Sequence, residues 1–118
     1  MQYETILVDV ADHVATITLN RPEAMNSFTR QMMDEFEHLW KWIAREDDVH
    51  CCVLRAAPGK AWCTGVDVKE SQKPGGTVVD LANIWHCEDP GNTLGPKSMK
   101  CWKPVIAAVN GMACGGAF

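Results

Sequence analysis

The most constraining feature of this 118-residue chain is the apolar run VIAAV at residues 105–109, which a proline opens. Asn110 and Gly111 follow it, and the pair Gly115-Gly116 comes shortly afterwards. An apolar run without alternation suits a strand that is covered on both faces, as strands of parallel sheets are. The first amide N–H groups of a helix lack intrahelical partners and bind anions. The stretch therefore predicts, in an α/β protein, a buried strand, a tight turn and the glycine-lined start of a helix.

A β-hairpin is predicted near the amino terminus. Residues 4–10 and 13–19 have the composition of two strands, and Ala15 and Ile17 alternate with threonines as in a half-buried strand. Asp12 and its neighbours supply a short turn. We therefore expect the two strands to pair with each other.

An amphipathic helix is predicted after the hairpin. Asn26 and Ser27 offer side-chain oxygens as helix caps, and the helix should run to about Arg45. Glu37 and Lys41 form a favourable pair four residues apart on its polar face. Core packing is the preferred reading of its apolar face, which is formed at spacings of three and four by Phe28, Met32, Phe36, Leu39, Trp40 and Ile43.

The remaining sequence continues the alternation of strands and helices. Residues 51–56 predict a third strand, a glycine-bearing loop follows over 58–67, and Asp67 caps a short helical stretch, VKES. Residues 77–85 have a helical pattern, and the strand at 105–109 comes last. The alternation indicates one α/β domain.

Composition and charge exclude several classes of function. The net charge of −4 and the scattered basic residues argue against a nucleic-acid partner, and no apolar run approaches the length of about 18 residues that a membrane span needs. Six cysteines include the adjacent pair Cys51-Cys52 but no CxxC spacing, and the four histidines show no HxxxH pairing. We therefore expect no metal site, free thiols and a cytoplasmic location.

Three stretches, LNRPEAMNSF, AWCTGVDVKE and KPVIAAVNGMACGGAF, resemble in this order and at these spacings the N-terminal part of the crotonase superfamily, the enoyl-CoA hydratase/isomerase family. The resemblance covers essentially the whole chain and is weakest over 71–98. It implies an α/β fold of the crotonase-like ββα spiral type, with residues 1–118 forming a partial domain. It also implies a lyase or isomerase of fatty acid metabolism that acts on acyl-CoA thioesters through an enolate or oxyanion.

The resemblance implies that two backbone N–H groups, those of Val66 and Gly116, form an oxyanion hole. The residue types suit this role. Gly65 allows a sharp turn that points a main-chain amide at a ligand, and an amide at a helix N-terminus attracts negative charge. Two other readings stay open from the residues alone: Gly65 is an ordinary turn glycine, and Gly115-Gly116 is a close-packing device between helix and strand.

Coenzyme A enters this reading as part of the substrate, with no separate cofactor. The resemblance implies that Ala24 and Met25 line the pantetheine side. Backbone groups around the first loop would hold the adenine, at Ala61, Thr64 and Val66. The predicted binding set is completed by Gly65, Asp67 and Gly115.

The sequence departs from the family pattern in three ways. Many members have alanine in place of Thr64 and glycine in place of Ala117, and the two glutamates that serve hydratases as acid and base would lie beyond Phe118. Asp67 is expected to be a helix cap and not a general base. The 118-residue chain alone is therefore expected to be inactive and to associate, and the full-length protein to form a trimer or hexamer. A non-catalytic module that binds acyl-CoA is the alternative.

Overall fold

The computed structural model of the protein describes residues 2–72 and 92–118. The strands in these ranges are β1 (Ile6–Ala11), β2 (Val14–Leu19), β3 (Cys51–Ala56), β4 (Ala61–Cys63), β5 (Val105–Ala108) and β6 (Met112–Ala113). The helices are α1 (Arg30–Ile43) and α2 (Val68–Ser71), and 3-10 turns span Pro22–Ala24, Asn92–Leu94 and Gly115–Ala117. The predicted helical segment at 77–85 lies outside the described residues.

Four strands form one mixed sheet in the order β1-β2-β3-β5. β1 and β2 are antiparallel, whereas β2 with β3 and β3 with β5 are parallel. The segments that leave the carboxyl ends of β3 and β5 therefore start at the same edge of the sheet. They go on to pair with each other as β4 and β6, which are also parallel. This topology brings together the two glycine-bearing segments of the sequence, residues 58–67 and residues 110–116.

The predicted hairpin is confirmed, with slightly shifted strand ends. Ile6 pairs with Leu19 at its open end and Ala11 with Val14 at its turn. The two turn residues, Asp12 and His13, have φ angles of 49° and 65°. A two-residue hairpin turn whose residues both have positive φ matches the twist of the flanking strands.

The amphipathic helix is confirmed as α1, and every apolar residue predicted for its buried face is buried. Its predicted cap is wrong. Thr29, and not Asn26 or Ser27, caps the helix, because the Thr29 hydroxyl accepts a hydrogen bond from the amide of Met32 at 3.2 Å. Asn26 has a left-handed backbone (φ 53°) and belongs to the preceding loop, so it cannot begin the helix. The helix ends at Ile43 and not at Arg45.

The third strand, the VKES helix and the Asp67 cap are confirmed. The segment 58–67 was predicted to be a loop throughout, but it contains the three-residue strand β4. A strand this short has no periodicity of its own, and its partner β6 lies far along the chain.

The predicted last strand is present as β5, but it is not buried: Ile106 is 60% exposed, and β5 lies at the edge of the described sheet. The backbone at Gly115–Ala117 forms a 3-10 turn, and the helix start predicted there stays a prediction.

Outside residues 73–91, no helix is long and apolar enough to cross a membrane. The thiols expected to be free are so at the described positions Cys51, Cys52, Cys63, Cys101 and Cys114. Burial raises the pKa of Cys52 to about 11, with smaller contributions from Cys101 and Cys51, so this thiol is inert at neutral pH.

Candidate functional site

A cavity of about 560 Å³ lies between α1, the mixed sheet and the two glycine-bearing segments. Apolar and aromatic side chains form much of its wall, among them Phe28, Phe36 and Trp62. Val66 and Gly116, the two predicted oxyanion donors, both lie in this wall. The cavity thus brings together two residues that are 50 positions apart in the sequence.

The two glycine turns are in direct contact. Gly65 has a φ of +87°, and a Cβ atom placed on it would lie 3.0 Å from the oxygen of Cys114 and 3.1 Å from the nitrogen of Gly116. A Cβ on Gly116 would lie 2.7 Å from Cζ of Phe28. Glycine is therefore required at 65 and 116 by close packing, and at 65 also by the backbone conformation.

The amide of Val66 is turned away from its neighbouring chain segment. Val66 and Phe28 form an isolated parallel β-bridge, in which the N–H of Phe28 donates to the oxygen of Gly65 at 2.8 Å. The N–H of Asp67 donates to the oxygen of Phe28 at 3.0 Å. In this pattern the N–H of the bridging residue itself points to the opposite side. Among the described residues, Val66 N–H has no acceptor.

The amide of Gly116 has no acceptor either within residues 2–72 and 92–118. Its segment is fixed by backbone bonds to β4: the N–H of Met112 donates to Lys60 at 3.1 Å and that of Cys114 donates to Cys63 at 3.0 Å. Two residues that line the cavity therefore have backbone N–H groups without an acceptor in the described protein.

The carboxylate of Asp67 is fully engaged beside this site. One oxygen, Oδ2, lies 3.1 Å from Nη2 of Arg21 and 3.4 Å from the hydroxyl of Ser27, which donates its hydrogen to the oxygen of Ala24 at 2.9 Å. The other, Oδ1, accepts from the amides of Lys69 and Glu70 at 3.1 and 3.3 Å. Both carboxylate oxygens therefore accept hydrogen bonds from the protein itself, which agrees with the predicted role of Asp67 as a helix cap.

The electrostatics of Asp67 favour the ionised form. Burial by itself would raise the pKa of Asp67. The hydrogen bond from Arg21, the charge of Arg21 and the bonds from the amides of Glu70 and Lys69 together outweigh burial, so the pKa lies below its ordinary value. Asp67 is therefore a charged partner of Arg21 at neutral pH and has no proton to donate.

The side chains of Arg21 and Asn26 connect the loop before α1 to the segments that carry Asp67 and Ala61. Nη1 of Arg21 donates to the carbonyl of Ser27, and the amide of Arg21 donates to Oδ1 of Asn26 at 2.8 Å. Nδ2 of Asn26 donates to the oxygen of Ala61 at 3.2 Å. Sequence reasoning missed these roles, because it assigned none to Arg21 and interpreted Asn26 as a helix cap.

The residues predicted to hold coenzyme A lie in adjoining segments. Ala24 ends the first 3-10 turn, and Met25 follows it with a φ of 52° and a half-exposed side chain. The hydroxyl of Thr64 lies 3.4 Å from the oxygen of Met25, which joins this turn to the loop after β4. Ala61 is buried, and its carbonyl is occupied by Asn26.

Two further residues of this region are Gly115 and Cys63. A Cβ on Gly115 would be 3.9 Å from Cα of Gly65, so the predicted binding residues of the two segments are neighbours. The thiol of Cys63 lines the cavity and accepts from the amide of Gly65 at 3.4 Å. Burial raises the pKa of this thiol, against a smaller lowering by the Gly65 amide. The thiol is therefore neutral and adds no negative charge to the cavity.

The mixed sheet with two glycine-bearing segments meeting at one cavity defines the class of protein. The chain has the crotonase fold. A solved enoyl-CoA hydratase/isomerase from Mycobacterium paratuberculosis superposes with a TM-score of 0.81 and 34% identity, over 98% of this chain and 44% of that one. A solved enoyl-CoA hydratase from Bacillus anthracis gives a TM-score of 0.78 and 32% identity, over 97% and 43%.

The family follows from the sequence comparison. A family model described as enoyl-CoA hydratase/isomerase matches residues 9–118, and the chain belongs to this family. It is 39% identical to an (E)-benzylidenesuccinyl-CoA hydratase from Thauera aromatica, over 94% of this chain and 41% of that protein. It is also 39% identical to a 1,2-epoxyphenylacetyl-CoA isomerase from Escherichia coli, over 95% and 42%. The chain thus spans about two fifths of the length of these relatives.

Proposed function

We propose that this protein acts on acyl-CoA thioesters and that the N–H groups of Val66 and Gly116 form an oxyanion hole for the thioester carbonyl. One observation carries the proposal: two residues that line one cavity, on segments that touch each other, have backbone amides without acceptors among the described residues. The names of the relatives support the substrate class, since they refer to CoA thioesters.

The physical reason lies in the charge that develops during thioester chemistry. Removing a proton next to the carbonyl, or adding a nucleophile to a conjugated enoyl group, shifts negative charge onto the carbonyl oxygen. Donors that already point at this oxygen stabilise the charge without reorganisation, and an apolar surrounding strengthens the interaction. Loss of one such donor typically lowers the rate by about 10²–10³.

The coenzyme A portion is proposed to lie along the loops that adjoin the cavity. Ala24 and Met25 would contact the pantetheine arm, and the backbone around Thr64 would hold the adenine. Asp67 would take part through its main chain only, because its carboxylate is engaged by Arg21. The remaining members of the proposed binding set are Ala61, Gly65, Val66 and Gly115.

The wider setting is proposed from the family alone. We propose a lyase or isomerase reaction, a place in fatty acid metabolism, a cytoplasmic location and a homotrimer or hexamer for a protein of the relatives' length.

Calorimetric titration of the 118-residue chain with crotonyl-CoA and with free CoA tests this function. Binding, and not turnover, is the measured quantity, because it does not depend on an acid or base. The proposal expects saturable binding of both ligands, with crotonyl-CoA bound more tightly because its carbonyl meets two donors. Absence of binding by either ligand would contradict it. Equal affinities would favour a module that holds CoA without activating the thioester.

A further inference from the structure

We propose that Arg21 and Asp67 are positioning residues whose ion pair fixes the direction of the Val66 N–H. The proposal rests on the proposed function, because it concerns one of the two donors assigned there. Neither side chain needs to touch the substrate. Their effect would be exerted through the backbone between Gly65 and Asp67.

Hydrogen bonds hold the residues on both sides of Val66. The oxygen of Gly65, immediately before the amide in question, is held by the N–H of Phe28 at 2.8 Å. Asp67, immediately after it, is held by its own N–H to the oxygen of Phe28 at 3.0 Å and by its side chain. The Gly65 oxygen and the Val66 N–H belong to one planar peptide unit, so the bond from Phe28 anchors this unit directly and the bonds of Asp67 anchor the residue that follows it.

The two oxygens of the Asp67 carboxylate have different partners. Oδ1 caps α2 through two amides, whereas Oδ2 accepts from Arg21. The cap and the ion pair use different oxygens. A change that keeps one oxygen as an acceptor but removes the charge will therefore separate the two roles.

The guanidinium of Arg21 makes a forked contact. One guanidinium nitrogen reaches the carbonyl of Ser27 and another reaches Asp67, and the two charged side chains are only 19% and 13% exposed. A guanidinium holds two acceptors in a fixed relative geometry, which a lysine ammonium cannot do. The fork thus sets the distance between the loop before Phe28 and the residue after Val66.

The same arginine connects the donor to the proposed coenzyme A loop. Its amide donates to Asn26, whose side chain in turn donates to Ala61 at the start of β4. A shift of Arg21 would move both ends of the segment that carries Val66. Misplacement of a reacting geometry by about 1 Å can lower catalysis about 10²-fold.

The test compares Asp67→Asn and Arg21→Lys with Asp34→Asn as the matched control. Asp67→Asn keeps an oxygen for the α2 cap, since asparagine is as good a cap as aspartate. Asp34 also pairs with an arginine, Arg30, but this pair is exposed (69% and 61%) and lies away from the cavity wall.

The probe is acetoacetyl-CoA, a β-keto thioester that ionises to an enolate with its negative charge shared by the thioester oxygen. The ultraviolet absorbance of the enolate gives the ratio of enolate to keto form when the probe is bound at saturation. The affinity for free CoA, which has no carbonyl at this site, is measured in parallel. A purely structural loss would change stability and CoA affinity without a selective change in this ratio.

The expected result is a fall of about tenfold to a hundredfold in the enolate ratio for Asp67→Asn, a similar or smaller fall for Arg21→Lys, and no change for Asp34→Asn. The affinity for CoA should fall by a smaller factor than the enolate ratio. If Asp67→Asn does not fold, Arg21→Lys decides alone. Unchanged enolate ratios in both variants would overturn the inference while leaving the proposed function intact. A wild-type chain that binds the probe without favouring its enolate would overturn the proposed function instead.

Discussion

The two proposed donors are held in place by different means. The Val66 segment is half-buried, and the ion pair of Arg21 and Asp67 supplements the backbone bonds on either side of the amide. The Gly116 segment is fixed by backbone bonds to β4 and the residue before it and by steric contact with Phe28, and among the described residues no side chain hydrogen-bonds to it.

This difference determines how each donor can be lost. A donor fixed by side chains can be displaced by substitutions at a distance, which leave the N–H present but misdirected. A donor fixed by close backbone packing is insensitive to most neighbouring side chains but cannot tolerate an added Cβ. The predictions below separate these two modes of failure.

The largest effect is expected for Gly116→Pro, which deletes the donor N–H itself. The enolate ratio of bound acetoacetyl-CoA should fall by about 10²–10³, the usual effect of losing one oxyanion donor. The control is the double variant Gly116→Ala/Phe28→Leu. It adds a Cβ but retains the N–H, and it removes the ring that the Cβ would strike at 2.7 Å. A proline variant that matches this control would show that the amide is not a donor.

Gly65→Ala should destabilise the fold. Its Cβ would approach a backbone oxygen to 3.0 Å, and the φ of +87° is one that alanine rarely adopts. We expect a loss of about 1–3 kcal/mol in the free energy of unfolding, measured by urea denaturation. Gly59→Ala is the matched control, since its Cβ would meet neighbours only at 3.9 Å, and it should change stability by less than about 0.5 kcal/mol. Equal effects of the two changes would refute the close contact of the glycine turns.

Thr29→Ala should lower stability by about 1 kcal/mol, because it removes the oxygen that caps α1. Thr29→Ser keeps this oxygen and should retain most of the stability. Urea denaturation of the two variants checks the correction of the cap from Asn26-Ser27 to Thr29. Similar losses for serine and alanine would indicate that the cap oxygen is unimportant.

The smallest expected effect is on the pH dependence of stability. The pKa of Asp67 is lowered in the folded protein, so its charge stabilises the fold above its ordinary value of 3.8 and this contribution is lost as the pH falls through the folded value. The stability advantage of the wild type over Asp67→Asn should therefore shrink as the pH decreases from about 5 to about 3. An advantage that is constant over this range would mean that the Arg21 pair does not perturb the carboxylate.

Local sequence signals were sufficient for the hairpin, α1, β3 and the Asp67 cap. Each depends on residues close together in the chain, such as the spacing of Met32 and Phe36 on one helix face. The pair β4–β6 and the exposure of Ile106 were not predictable in this way, because strand pairing and position within the sheet depend on distant segments. The three-residue strand β4 was too short to show a pattern.

In the candidate site, too, the features that depend on local sequence were predictable and those that depend on contacts between distant segments were not. Gly65 and Gly116 were predicted from the sequence as turn glycines, and the family resemblance implied that the amides of Val66 and Gly116 are the donors. The role of Arg21 was invisible, because its partners Ser27 and Asp67 become neighbours only when two loops meet. The cap was predicted at Asn26 because an asparagine side chain suits a helix cap and a left-handed loop residue equally well.

The most direct test of the oxyanion hole is the infrared stretching frequency of a ¹³C-labelled thioester carbonyl in crotonyl-CoA bound to this protein. Two fixed donors in an apolar cavity should lower the frequency below its value in water, and Gly116→Pro should reverse most of this shift. A frequency in the wild-type complex at or above the value in water would mean that the carbonyl meets no such donors, and would contradict the assignment of Val66 and Gly116.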